Sequence, residues 1–106
     1  MAYNCSVEIQ WDPVKNQANI KKHGLSFEEA TELFELPEHL VLEIYDFEHS
    51  TTEDRIISIG PIHRGVIVVV SVERNDGDIL RLISARFATR TEQKRYETVI
   101  EEVDHE

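Results

Sequence analysis

The order of patterns along the 106 residues predicts an α+β fold, with helices packed on a twisted antiparallel sheet. Three observations carry this. Two capped, helix-period segments occupy the chain before residue 37. Four β-rich segments separated by turn residues fill residues 40–86. A third capped helix-period segment follows. The sheet is therefore expected to hold about four strands in a meander, with two N-terminal helices and one C-terminal helix. A single domain covers residues 1–106, with its core at about 7–103; no repeat, linker or low-complexity tract divides it.

Residues 7–11 alternate apolar and polar, as a short strand does. Asp12-Pro13 starts the first helix, because an Asp side chain caps free N–H groups and proline suits the first helical position. Gly24 stops it. Lys15, Asn19 and Lys22 fall on one stripe of this helix, with His23 at the edge. Val14 and Ala18 are expected on an apolar face with Trp11. Ser26 and Glu29 form a capping box for the second helix, and Phe27, Ala30, Leu33 and Phe34 make its buried face up to Pro37.

Strands are expected at residues 40–45, 55–60, 66–74 and 79–86, with a polar loop at 46–54 and a turn at 61–65. Residues 66–74 are β-branched on both faces, so this strand is expected at the centre of the sheet. Asn75-Asp76-Gly77-Asp78 is a hairpin turn. Thr89 and Glu92 form a capping box for the last helix, whose apolar stripe is Tyr96, Val99, Ile100 and Val103.

The net charge of −10 is unevenly spread. Residues 25–54 hold ten acids and no Lys or Arg, whereas residues 55–95 hold eight bases against four acids. A segregated chain of this kind can present a local positive patch despite its acidic total. The longest apolar run, residues 66–70, is too short to span a bilayer. With no signal-peptide pattern, the lone Cys5 fits a reducing cytoplasm.

Common catalytic signatures are missing. The five histidines (His23, His39, His49, His63, His105) show no i,i+3 or i,i+4 pair, the glycines are isolated, and no serine nucleophile elbow occurs. The arginines remain: Arg55, Arg74, Arg81 and Arg86 on strands, Arg90 and Arg95 on the last helix. Strict alternation puts Arg81 on one face of the last strand and Arg86 on the other. An arginine in an apolar strand pattern needs a partner. The structural reading is a carboxylate such as Glu53, Asp54 or Glu73. The functional one is a phosphate gripped by the guanidinium fork. Lys22 and His23 suit either the helix dipole or proton transfer. Trp11 and Tyr96 read first as packing residues.

Trp11-Asp12-Pro13-x-Lys15, Asn19, Lys22-His23-Gly24-x-x-Phe27-Glu28-x-Ala30, Glu53-Asp54-Arg55, Gly60, Arg74 and Ile83-Ser84-Ala85-Arg86-x-Ala88, then Glu92 and Tyr96, occur in order and at spacings that resemble the BrnT family of bacterial toxins. The resemblance runs from about residue 8 to residue 97. It implies a RelE-like fold and the toxin of a type II toxin-antitoxin system, a ribonuclease that arrests translation without metal or organic cofactor. It further implies an antitoxin with a ribbon-helix-helix domain, contact with operator DNA only through that antitoxin, a homodimer within the complex, and no membrane.

Under this reading Arg55, Arg74 and Arg86 form a phosphate clamp, and Lys22 and His23 supply acid–base or charge roles. Lys15, Asn19, Arg81 and Tyr96 contact RNA. The competing reading is a non-catalytic subunit that binds the ribbon-helix-helix partner and tunes repression. The acidic total sets this chain apart from the usually basic RelE-like ribonucleases.

Overall fold

A computed structural model describes residues 7–48 and 53–104, apart from the side chains of Val103 and Asp104. Cys5, His49, the polar stretch at 50–52, His105 and the stripe position Val103 lie outside what it describes.

The elements follow the expected order. They are β1 (Glu8–Gln10), α1 (Pro13–His23), α2 (Phe27–Ala30), β2 (Leu42–Tyr45), β3 (Asp54–Ile62), β4 (Gly65–Arg74), β5 (Ile79–Phe87) and α3 (Arg90–Asp104). The sheet has five strands in the order β1-β5-β4-β3-β2. The four-strand antiparallel meander is there, with β4 at its centre. The segment at 7–11 joins it, because β1 pairs in parallel with β5. A hairpin cannot make that pairing. The crossover from β1 through both N-terminal helices and three strands can.

The caps form as the sequence predicts. Asp12 accepts from the Val14 N–H at 2.9 Å, Pro13 is the first residue of α1, and Gly24 is left-handed at φ 70°. Both bonds of the Ser26/Glu29 capping box are present. The second helix is shorter than its pattern suggests. It makes one α-turn, then tightens into a 3-10 turn over Thr31–Glu35, and a second 3-10 turn spans Glu38–Leu40. The tightening keeps Leu33 and Phe34 buried on the sheet while turning the chain towards β2.

β3 runs through Pro61 to Ile62, so the turn before β4 shrinks to His63 and Arg64. Proline is tolerated there for a positional reason. The Asp46 N–H donates to the Arg55 carbonyl, so odd-numbered residues of β3 face β2. β2 pairs only as far as Ile59, so the N–H that Pro61 lacks falls beyond the ladder. The turn at Asn75–Gly77 carries three successive positive φ values: 52° at Asn75, 56° at Asp76 and 92° at Gly77.

Two apolar layers flank the sheet. One joins Leu25, Phe27, Ala30, Leu33 and Phe34 to Ile67, Val69, Leu80, Leu82 and Ala85, with Trp11 edge-on to Phe27 at 6.1 Å. Leu25, Phe27 and Leu33 are fully buried, each worth about 2–3 kcal/mol of transfer free energy. The other layer joins Tyr96 and Ile100 of α3 to Ile57, Ile59, Val66 and Val68.

Gly60 explains one sequence choice. A Cβ there would lie 2.5 Å from Leu33 Cδ1 and 3.3 Å from the Leu40 carbonyl oxygen. Leu33 is fully buried in the first layer. Gly60→Ala is therefore expected to cost about 1–3 kcal/mol, read as a lower urea midpoint at unchanged slope. An unchanged midpoint would mean that the 3-10 segment yields freely.

Candidate functional site

The first helix sits differently from its pattern. Val14, expected on an apolar inner face, is 76% exposed, and Ala18 is exposed too. The inner face is instead polar, built on Asn16 and Asn19. Asn16 donates to Glu28 Oε1 at 2.7 Å and accepts from the Phe27 N–H at 2.8 Å. Asn19 donates to the carbonyls of Leu25 (2.8 Å) and Ala85 (2.7 Å) and accepts from the Ala85 N–H (3.2 Å). Pairing between β1 and β5 ends at Gln10–Arg81. The Asn19 amide therefore serves β5 as a substitute peptide group beyond the end of β1.

This takes Asn19 off the contact surface that the sequence reading gave it. Its amide is spent on buried backbone. Tyr96 is likewise buried, with its hydroxyl donating to the Leu40 carbonyl at 2.5 Å. Both hold elements together.

Lys15 and Lys22 flank the buried stripe and are exposed; His23 is half-exposed. Among the described residues, neither Lys22 nor His23 makes a side-chain hydrogen bond or ion pair, and α1 packs on β5, Leu25 and Phe27.

The arginines gather more closely than alternation predicts. Between Val70 and Ser71 of β4 the register with β5 shifts, pairing Val70 with Ser84 and Ser71 with Leu82. Ile83 is the extra residue of a β-bulge, and it reverses the parity of β5 on its two sides. Leu80, Leu82 and Ala85 can then all face the first core layer. Arg81 and Arg86, expected on opposite faces, share the other face. Register adds Arg55 opposite Val72, itself opposite Arg81, with Arg74 two residues beyond Val72 on β4. So Arg55, Arg74, Arg81 and Arg86 all lie on the α3 face of the sheet. Arg86, opposite Val68, stands at the covered end beside α3; the other three stand towards the far end. A shallow depression on α3, lined by Arg90, Gln93, Lys94 and Glu97, adds two exposed cations.

Two of these arginines hold carboxylates, as the structural reading expects. Arg74 donates through Nε to Glu53 Oε2 at 2.5 Å and through a terminal nitrogen to Oε1 at 3.3 Å. Arg86 grips both oxygens of Glu92, at 2.7 and 2.8 Å. Glu92 also closes the Thr89 capping box. One carboxylate thus ties the end of β5 to the start of α3. Arg81 makes no hydrogen bond among the described residues.

The Arg86 fork, with the Thr89 N–H behind it, holds the Glu92 carboxyl down to about 2 from its ordinary 4.5. The folded-state value is depressed, so the stabilisation is complete above about pH 4.5 and is lost as pH falls towards 2. It is worth about 1–2 kcal/mol once partial exposure of the pair is allowed for. Glu92→Gln should remove this part of the acid limb, so the fall in urea midpoint between pH 5 and pH 2.5 is expected to be smaller than in the unaltered protein. An equal fall would exclude the linkage.

The acidic segment is partly neutralised from within. Arg64 donates to Glu29 at 2.7 Å and to the Gly24 carbonyl at 3.1 Å, and lies over the Phe87 ring. Glu32 accepts from the His63 N–H at 2.9 Å, with the His63 ring 2.6 Å away. Arg64 holds the Glu29 carboxyl below the usual carboxylate range. The His63 backbone N–H, and then its ring, do the same for Glu32. The β3–β4 turn is therefore pinned to α2 and the following 3-10 turn. The spacing of these residues gave no signal of that contact, which links positions more than thirty residues apart.

Among the described residues, no helix is long and apolar enough to cross a membrane. No curated protein matches the chain. A family profile described as the ribonuclease toxin BrnT of type II toxin-antitoxin systems matches residues 11–92. That interval runs from Trp11 through α1, the whole meander and the four strand arginines to Glu92, the residue that ties β5 to α3. With more than half of its length so matched, the chain belongs to the BrnT family of ribonuclease toxins of type II toxin-antitoxin systems.

Proposed function

We propose that this protein is a RelE-like endoribonuclease that cleaves RNA without a metal, arrests translation in the cytoplasm, and is neutralised by an antitoxin carrying a ribbon-helix-helix domain. The observation that carries the reading is the bulge at Ile83, which puts four arginines on one face of the sheet. In RNA cleavage by the neighbouring 2′-hydroxyl, that oxygen attacks phosphorus and the 5′-oxygen departs. Charge builds on the non-bridging oxygens, where planar guanidinium forks stabilise it. Arg55, Arg74 and Arg81 supply that charge at the open end of the face, and Arg86 at its covered end. Lys15 and Lys22, exposed on α1, contact the RNA backbone in this proposal. Lys22 and His23 serve as the acid–base pair in this proposal.

In the cell the toxin forms a homodimer within a complex with two antitoxins, and operator DNA is reached only through them. The test is direct. Purified protein incubated with RNA in excess EDTA should yield 2′,3′-cyclic phosphate and 5′-hydroxyl ends, and the cognate antitoxin should suppress the cleavage. Cleavage abolished by EDTA would overturn the metal-free mechanism. Binding to the antitoxin with no cleavage, and no growth arrest on induced expression, would favour the non-catalytic repression subunit.

A further inference from the structure

Glu53 immediately precedes β3, and Arg74 is the last residue of β4. The Glu53 carboxylate sits across the Arg74 fork, one oxygen towards Nε and one towards a terminal nitrogen. Arg81, on the next strand and the same face, adds a smaller attraction to that carboxylate. Two acceptor oxygens held along one arginine fork, on a face that carries a second arginine, match the two non-bridging oxygens of a bound phosphodiester. Both side chains of the pair are about two-fifths exposed, so the contact can open without disturbing the core. The Asn75–Gly77 turn follows directly on the end of β4 that carries Arg74.

We propose that Glu53 is an internal stand-in for the RNA phosphate: it occupies the Arg74–Arg81 site in the free protein, and RNA must displace it. The inference rests on the ribonuclease reading and adds a self-imposed limit on RNA affinity. It also gives the acidic character of this member a local consequence, because one of the ten acids in residues 25–54 competes with substrate at the cationic face. A general-base role is the opposite case. Arg74 holds the Glu53 carboxyl below its ordinary range, which makes it a poorer proton acceptor.

The experiment uses Glu53→Gln, which keeps the shape and removes the charge. Glu35→Gln, at an exposed acid on the 3-10 turn of the other layer, controls for net charge. Binding is measured with uniformly 2′-O-methylated RNA, whose attacking hydroxyl is blocked, and cleavage with unmodified RNA. Glu53→Gln is expected to bind roughly two- to fivefold more tightly than the unaltered protein at low salt, with cleavage retained and Glu35→Gln close to the unaltered protein. Equal or weaker binding by Glu53→Gln, or an equal gain in Glu35→Gln, overturns the proposal. So does a large loss of cleavage at unchanged binding, which would make Glu53 a participant in the chemistry.

A second probe separates this proposal from the ribonuclease reading. Inorganic pyrophosphate is titrated while the side-chain N–H resonances of Arg74 and Arg81 are followed. Stronger pyrophosphate binding by Glu53→Gln, with no RNA binding by any protein, would leave the stand-in intact and remove the RNA reading. No anion binding at these arginines would remove both.

Discussion

Replacing Arg81 by alanine is expected to lower RNA cleavage by about 10²- to 10³-fold, the range seen when one preorganised donor to a developing oxyanion is lost. The unfolding midpoint should move little. Arg81 makes no hydrogen bond among the described residues, and substitutions of such side chains usually fall within about 0.5 kcal/mol. Arg74→Ala should also reduce cleavage, but there the change releases Glu53 as well, so two effects mix. Arg86→Ala is the least clean of the three, because it unties Glu92 from the start of α3. The measurement is single-turnover cleavage beside thermal unfolding of the same preparation. An Arg81→Ala protein that cleaves at the unaltered rate would remove the phosphate role from this end of the face.

Asn19→Leu should act on stability. The leucine would leave three buried backbone groups without partners: the carbonyls of Leu25 and Ala85 and the N–H of Ala85. Leaving such groups unsatisfied costs about 2–4 kcal/mol in sum, a large part of the roughly 5–15 kcal/mol that holds a domain folded. For a domain of this size that is a fall of roughly 10–20 °C in melting temperature. Asn19→Asp is a second check. It keeps the acceptor for the Ala85 N–H but sets a carboxylate against two carbonyl oxygens, so it should also destabilise. Lys22→Ala, one turn away and exposed, should leave the midpoint within about 0.5 kcal/mol. An Asn19→Leu protein that melts normally would show that the amide is not the joint between α1 and β5.

Local signals held wherever they depend on a few neighbours. Asp12, Gly24, the Ser26/Glu29 box, the Thr89/Glu92 box and the Asn75–Gly77 turn all form. Each depends on backbone groups within a few positions of the residue that satisfies them. Residues 66–74, apolar on both faces, become the central strand. The inner face of α1 did not follow the same logic. An apolarity pattern points to Val14 and Ala18, whereas the partners α1 meets are unsatisfied peptide groups of β5 and α2, for which asparagine is the better match. Alternation puts Arg81 and Arg86 on opposite faces because it assumes an unbroken ladder. One bulged residue reverses every position beyond it. The repeated apolar parity of Leu80, Leu82 and Ala85 is the trace that the bulge leaves in the sequence.

The α+β class, the order and caps of the elements, the central strand and the family are all legible along the chain. All of these rest on short-range patterns or on residue identity along the chain. The parallel place of β1 in the sheet, the joints at Asn19 and Tyr96, and the shared face of the strand arginines emerge only once the chain is folded. So do the carboxylates that Arg74 and Arg86 hold. The reason is physical. Strand register and an ion pair between residues 53 and 74 depend on which distant groups meet when the sheet closes, and nothing in the local chain records that meeting.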